Sequence, residues 1–228
     1  MGVHFQRELE RLQRQILTLG AEVQLDVSTA VRSVVRRDLA LARTAIAREE
    51  LTNTMEVDIE EECLKILALY QPVATDLRHV VAALKINQNL ERIGDLAVHV
   101  AERGIKLAAH PPMALPPEIE AMAGKAQGML KRVLDAFVTQ DSVGAHAVCT
   151  DDAEIDVLRR AVNQQVEAAV KRNPAMFEPL VQIMHIARHL ERIADHATNF
   201  AEDLIYQVEG RIVRHTAEVS DAGKQELG

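Results

Sequence analysis

Residues 90–102 read LERIGDLAVHVAE, and residues 190–202 read LERIADHATNFAE: eight of thirteen positions are identical at an offset of 100. In the first copy Ile86, Leu90, Ile93, Ala97 and Val100 step by three and four, and in the second Ile186, Leu190, Ile193, Ala197 and Phe200 do the same. That spacing is the stripe an α-helix buries. A helix written twice implies a chain built as two matching halves.

Reading outward from these copies, Leu9, Leu12, Ile16, Leu19, Val23, Val27, Ala30 and Val34 form the stripe of a long first helix. Asp38 is placed to cap a second helix through about Tyr70. In YQPVATDLR, Pro72 turns Gln71 away from helical angles, and Thr75 or Asp76 is the expected cap of a third helix running to about Ala109. HPPMALPPE, residues 110–118, has four prolines in nine positions and excludes both helix and interior strand. The plan then repeats, with helices from Pro117 to Thr139, from Ser142 to Arg172 and, after a break at NPAMFEP, to about Val208. The expected fold is all-α, two tandem three-helix bundles related by an internal repeat: a first bundle over 1–110, a Pro-rich linker over 111–117, a second bundle over 118–210 and a flexible tail over 211–228.

Composition agrees with helices. Aromatic residues make up 3% of the chain and Trp is absent, which favours aliphatic helix packing over a sandwich or barrel. A net charge of -8 and a pI near 5.6 argue against nucleic acid, whose phosphates demand a concentrated basic surface. No window approaches the ~20 apolar residues of a membrane span, and MGVHFQRELERLQRQ lacks the apolar core of a signal peptide. Gln6 stands where a myristoylation motif needs Ser or Thr. A cytoplasmic protein is expected. Cys63 and Cys149 follow no zinc or redox spacing and read as two reduced, packed thiols.

With about 100° per residue and Glu191 as origin, Asp195, Thr198 and Glu202 fall within about 40° of it, opposite the apolar stripe. Glu91, Asp95, Val98 and Glu102 repeat the arrangement. The acids are therefore expected to face away from the core, with Arg188 one turn before Glu191 as its ion-pair partner and Gln88 in the matching place of the first copy. Like charges four apart cost only a few tenths of a kcal/mol on a solvated helix, so a plain polar face explains them too. Alternatively, two such carboxylates share a hard cation, and a neighbouring helix completes the shell. Glu49 and Asn53 in the first half, and Asp152 and Asp156 in the second, have the spacing to do so.

His185, His189 and His196 share a helical face that points away from Glu191. A ferritin-like di-iron centre needs His three residues after the glutamate, where Gly94 and Ala194 stand. There is no Walker loop, dinucleotide fingerprint or nucleophile elbow, and no catalytic residue is assigned; the expected protein is not an enzyme.

QPVATDLR at 71–78, LERIGDLA at 90–97 and HLERIADHATN at 189–199, set in two three-helix halves, resemble the PhoU family of phosphate-signalling regulators from about Phe5 to Val213. The resemblance implies a cytoplasmic negative regulator of the bacterial phosphate-starvation response and of phosphate uptake. It would bridge the Pst phosphate ABC transporter, through its ATPase, and the sensor histidine kinase PhoR, and it would form a homodimer. It would reach the membrane only through those partners.

Some members of the family hold iron or zinc clusters on the bundle surface through E(D)xxxD motifs. By resemblance, iron, zinc or another divalent ion is assigned to Glu91, Asp95, Glu49 and Asn53 in one half and to Glu191, Asp195, Asp152 and Asp156 in the other. Asn53 departs from the acidic pattern and weakens the first site. Two other readings stay open: a metal-free helical adaptor, and a phosphotransfer module with His79 or His99 as acceptor.

Overall fold

The computed structural model describes residues 3–213, and among them there are helices and no strand. The elements are α1 (Val3–Arg36), α2 (Leu39–Ala47), α3 (Glu49–Tyr70), α4 (Ala74–Ala108), α5 (Pro117–Thr139), α6 (Ser142–Thr150), α7 (Asp152–Arg172) and α8 (Phe177–Glu209), with a short 3₁₀ turn at Pro174–Met176 before α8. The all-α repeat of three-helix units is therefore present, with one change. Each second helix, expected to be continuous, is broken near its start: at Arg48 between α2 and α3, and at Asp151 between α6 and α7. Both junction residues keep right-handed helical angles, so each break redirects the axis without adding a loop.

Caps account for several boundaries. The Asp38 carboxylate accepts from the amides of Ala40 (2.9 Å) and Leu41 (3.0 Å), and Asp141 does the same for Val143 and Gly144 (both 3.0 Å). Gln71 takes a left-handed conformation at φ 45°, ending α3 ahead of Pro72. Neither Thr75 nor Asp76 caps α4, contrary to expectation. The cap position is Val73, without a side-chain bond, and Thr75 instead accepts from Arg78 Nη2 at 3.1 Å inside the first turn. Arg37 also sits at φ 53°, and its Nη2 donates to the carbonyls of Leu107 (3.2 Å), Ala108 (3.3 Å) and His110 (2.6 Å). One strained residue thus closes α1 and satisfies the orphan carbonyls at the end of α4.

The stripes read from the sequence are the core. Leu12, Ile16, Leu19, Val23, Val27, Ala30 and Val34 are buried, as are the apolar residues of both repeated copies. These side chains form one continuous cluster that runs through both halves. The most extensive contact between helices is that of α4 with α8. They lie antiparallel: Lys85 and Asn89 meet Asp203, His99 meets His189, and Arg103 meets Gln182. The two repeated helices are thus packed on each other as the central seam. Residues 111–116 carry no helix; most of the segment expected as a flexible tail lies outside the described residues.

Candidate functional site

The carboxylates of the repeated motif form the expected outward ridge only in part: Asp195 and Glu102 are exposed, the others partly covered. Glu91, Asp95 and Glu191 side chains are only 21%, 26% and 18% exposed, and Val98, placed on the same face by periodicity, is buried. A helix in a bundle has more than one packed side. The acids of α4 and α8 lie in the clefts against α3 and α7, beside the stripe rather than opposite it.

In the second half the four predicted residues come together. The Asp195 and Asp152 carboxyls are close enough to share a proton, as are those of Glu191 and Asp156, and Asp195 feels the charge of the other three. Asp195 keeps one side open to solvent, yet protein surrounds the rest. That burial, and then Asp152, Glu191 and Asp156, push its pKa up to about 6. Burial also raises Glu191 and Asp152, with Asp156 adding to both. The neutralising partner of Glu191 is not Arg188 but Arg159 of α7, at 2.7 Å.

In the first half Glu91 shares a hydrogen bond with Asp95, and burial followed by Asp95 pushes its pKa up to about 7. Arg92 bridges both acids, at 3.3 Å from Glu91 and 3.4 Å from Asp95. The acid that α3 brings near Glu91 is Glu56. Glu49 and Asn53 instead line an open depression along α3 with Glu50, Thr54, Val57 and Asp58.

Glu56 and Arg159 were not singled out in the sequence, although a signal existed. Each lies seven residues, two turns, beyond the residue that was: Glu49 in one half, Asp152 in the other.

Chemically, the α7–α8 cluster is a crowd of oxygen donors holding shared protons, the donor set of a hard cation. Among the described residues, however, no three His, Cys, Asp or Glu side chains converge as ligands of one ion. A cation there would have to draw the carboxylates together and displace Arg159.

The histidines named above fall into three environments, of which one is that of His196, whose Nδ1 lies 3.1 Å from Asn89 Oδ1. His79 donates from Nδ1 toward the Thr75 carbonyl (2.9 Å, the tautomer being assigned from that contact) and lines a cavity of about 240 Å³ between α1, α4, α5 and α8. His99, His189 and His185 form a row across the α4–α8 seam, with ring centroids 5.3 and 6.5 Å apart. Burial, and then the neighbouring His99 and Arg103, push the His189 pKa down to about 4.

The chain matches the PhoU domain twice, over residues 16–104 and 119–204. It is 37% identical over 204 residues to a phosphate-specific transport system accessory protein PhoU homolog of Caulobacter vibrioides strain NA1000, covering 89% of each chain. It is 35% identical to a homolog bearing the same name from Pseudomonas aeruginosa PAO1, covering 92% of this chain and 88% of that one. Among solved structures, PhoU from Pseudomonas aeruginosa superposes with a TM-score of 0.86 at 34% identity, over 91% of this chain and all of the other. The phosphate transport system regulatory protein PhoU from Streptococcus pneumoniae gives the same score at 28% identity, over 92% and 99%.

Proposed function

The chain belongs to the PhoU family, and from that premise we propose that it is an accessory of phosphate transport that restrains phosphate uptake and the phosphate-starvation response. It acts by binding rather than by turnover, standing in the cytoplasm between the Pst transporter's ATPase and the sensor kinase PhoR, as a homodimer. The observation that carries this reading is similarity to phosphate-transport accessory proteins over nine-tenths of the chain, in both halves alike.

The acidic clusters are its second element. Asp152, Asp156, Glu191 and Asp195 would hold a divalent or iron or zinc ion in the α7–α8 cleft, where burial and mutual repulsion already favour added positive charge. In the first half Glu91 and Asp95 would do so with Glu56 nearest; the contribution of Glu49 and Asn53 rests on their spacing. Arg92 and Arg159 occupy part of the charge in the ion's absence.

The test is expression of phosphate-starvation genes in cells carrying Glu191→Lys with Asp195→Lys. Derepression in rich phosphate is expected, and unchanged repression would remove the acidic cleft from the function. Elemental analysis of protein purified without chelator decides the ion separately, since a metal-free protein that still represses is an adaptor.

A further inference from the structure

The offset of 100 makes α4 and α8 near-equivalents, so each position along their antiparallel seam has a counterpart. At one end Lys85, Asn89 and Asp203 form a polar set, with His196 Nδ1 3.1 Å from Asn89 Oδ1. Asn89 Nδ2 donates to Asp203 Oδ2 (3.2 Å), Lys85 Nζ lies 3.5 Å from Asp203 Oδ1, and Asp203 is 1% exposed. The counterparts are His185, His189 and Arg103. An arginine stands where the other end has its carboxylate, and the set has lost its only anion.

The consequences are visible in the contacts. Both ring nitrogens of His189 and Nε of Arg103 are buried without a hydrogen-bond partner. Arg103 reaches only the Gln182 amide oxygen, at 3.5 Å. Arg103, Lys106 and Arg188 all act electrostatically on His185, and none of them pairs with a carboxylate among the described residues. His99 stacks on His189 from the solvent side. In a chain of net charge -8 this gathers three cations, Arg103, Lys106 and Arg188, around the imidazole rings. A buried donor left unpaired is costly, and a ligand supplying acceptors relieves that cost.

A metal ion fits badly. The three imidazoles stack face to face, with interplanar angles of 26° and 23°, so their nitrogens do not converge, and the surrounding arginines repel a cation. We propose that the α4–α8 seam at His189 binds a tetrahedral oxyanion of the phosphate class, held by Arg103, His185 and His189 with His99, Lys106 and Arg188 at the rim. The anion takes the part that the Asp203 carboxylate plays at the other end. Arg and imidazole donors suit phosphate oxygens, and the guanidinium can grip two of them at once.

The inference does not depend on the proposed function, and its experiment keeps the two apart by working on purified full-length protein stripped of metal with chelator and then dialysed free of it, so that the acidic clefts hold no ion at the start. Histidine-ring NMR is followed during titration with sodium phosphate, sodium sulfate, ATP or zinc, with sodium chloride matching ionic strength. Saturable shifts of the His185 and His189 rings with phosphate or sulfate, absent with chloride, are expected. Binding by ATP in place of free phosphate assigns the site to a phosphoryl ester and upholds it.

Arg103→Gln should weaken binding about tenfold or more, as expected for loss of a charged contact, while Lys131→Gln on the far surface changes nothing. Arg103→Asp supplies the missing carboxylate internally and should fold, as judged by circular dichroism, yet bind no anion. Shifts no larger than with chloride, equal weakening by Lys131→Gln, full binding by Arg103→Gln, or ring shifts with zinc alone would each overturn the proposal.

Discussion

Glu56 and Arg159 hold the same place in the two halves, two turns into α3 and α7, and carry opposite charge. The same reversal separates Asp203 from Arg103. Within the repeated helices Glu91/Glu191, Arg92/Arg192, Asp95/Asp195 and Glu102/Glu202 are retained beside the apolar stripe, whereas at these two places the charge reversed, because a partly solvated charge can be replaced if its neighbours change too. The acidic rows were legible as i, i+4 spacing. Their arginine partners were not, since Arg159 comes from another helix and Arg92, next to Glu91 in sequence, bridges two acids only in its folded rotamer.

The thiols show the pH consequence of burial most simply. Burial, with Glu62 adding to it, pushes the Cys63 pKa from 9.0 up to about 12, and burial pushes Cys149 up to about 11. A raised pKa means that the folded protein holds a proton the unfolded chain releases. The associated stability is therefore full below about pH 9 and drains as the pH climbs toward 12. The guanidinium midpoint should fall between pH 8 and pH 10.5, and Cys63→Ala should flatten that fall. At pH 8 native Cys63 should alkylate at least about a hundredfold more slowly than in denatured protein, following its thiolate fraction.

At the scale of elements, the two helix breaks are built from mirrored charges. Arg48 at the α2–α3 break reaches back to Asp26 and Glu22 of α1; Asp151 at the α6–α7 break is reached by Arg132 of α5. The burial differs, and that decides the energetics. The Asp26 side chain is 3% exposed, whereas Asp151 and Arg132 are 40% and 52% exposed. Arg48→Ala would leave an uncompensated charge under α1 and should cost about 3–5 kcal/mol. Arg132→Ala, a surface pair, should cost less than about 1 kcal/mol. Urea midpoints measure both, and equal losses would show that the buried carboxylate is not what holds the first break. The cap at Asp38 was legible in the sequence; the breaks were not, because no proline or glycine marks them. They arise from where the neighbouring helix offers a counter-charge.

For the whole molecule, the prominent contact is the seam of α4 against α8, with one apolar cluster continuous across both halves. Gly20 adds to it, since a methyl group there would strike Leu134 of α5, so α1 of one half packs closely on the other half. The halves should therefore unfold together. Circular dichroism and the fluorescence of Tyr70 and Tyr206 should report a single coincident transition in urea; two separated transitions would mean that the seam is weaker than either core. The helices, their stripes, their proline-marked ends and the tandem plan were determined by the sequence alone, because periodicity and capping act within a few residues of chain. The direction in which the acids face, the arginines that meet them and the row of imidazoles beside Arg103 at His189 were decided only by the tertiary structure. Those depend on which side chain a second helix, a hundred residues away, places within a few ångströms, and no local pattern encodes that distance.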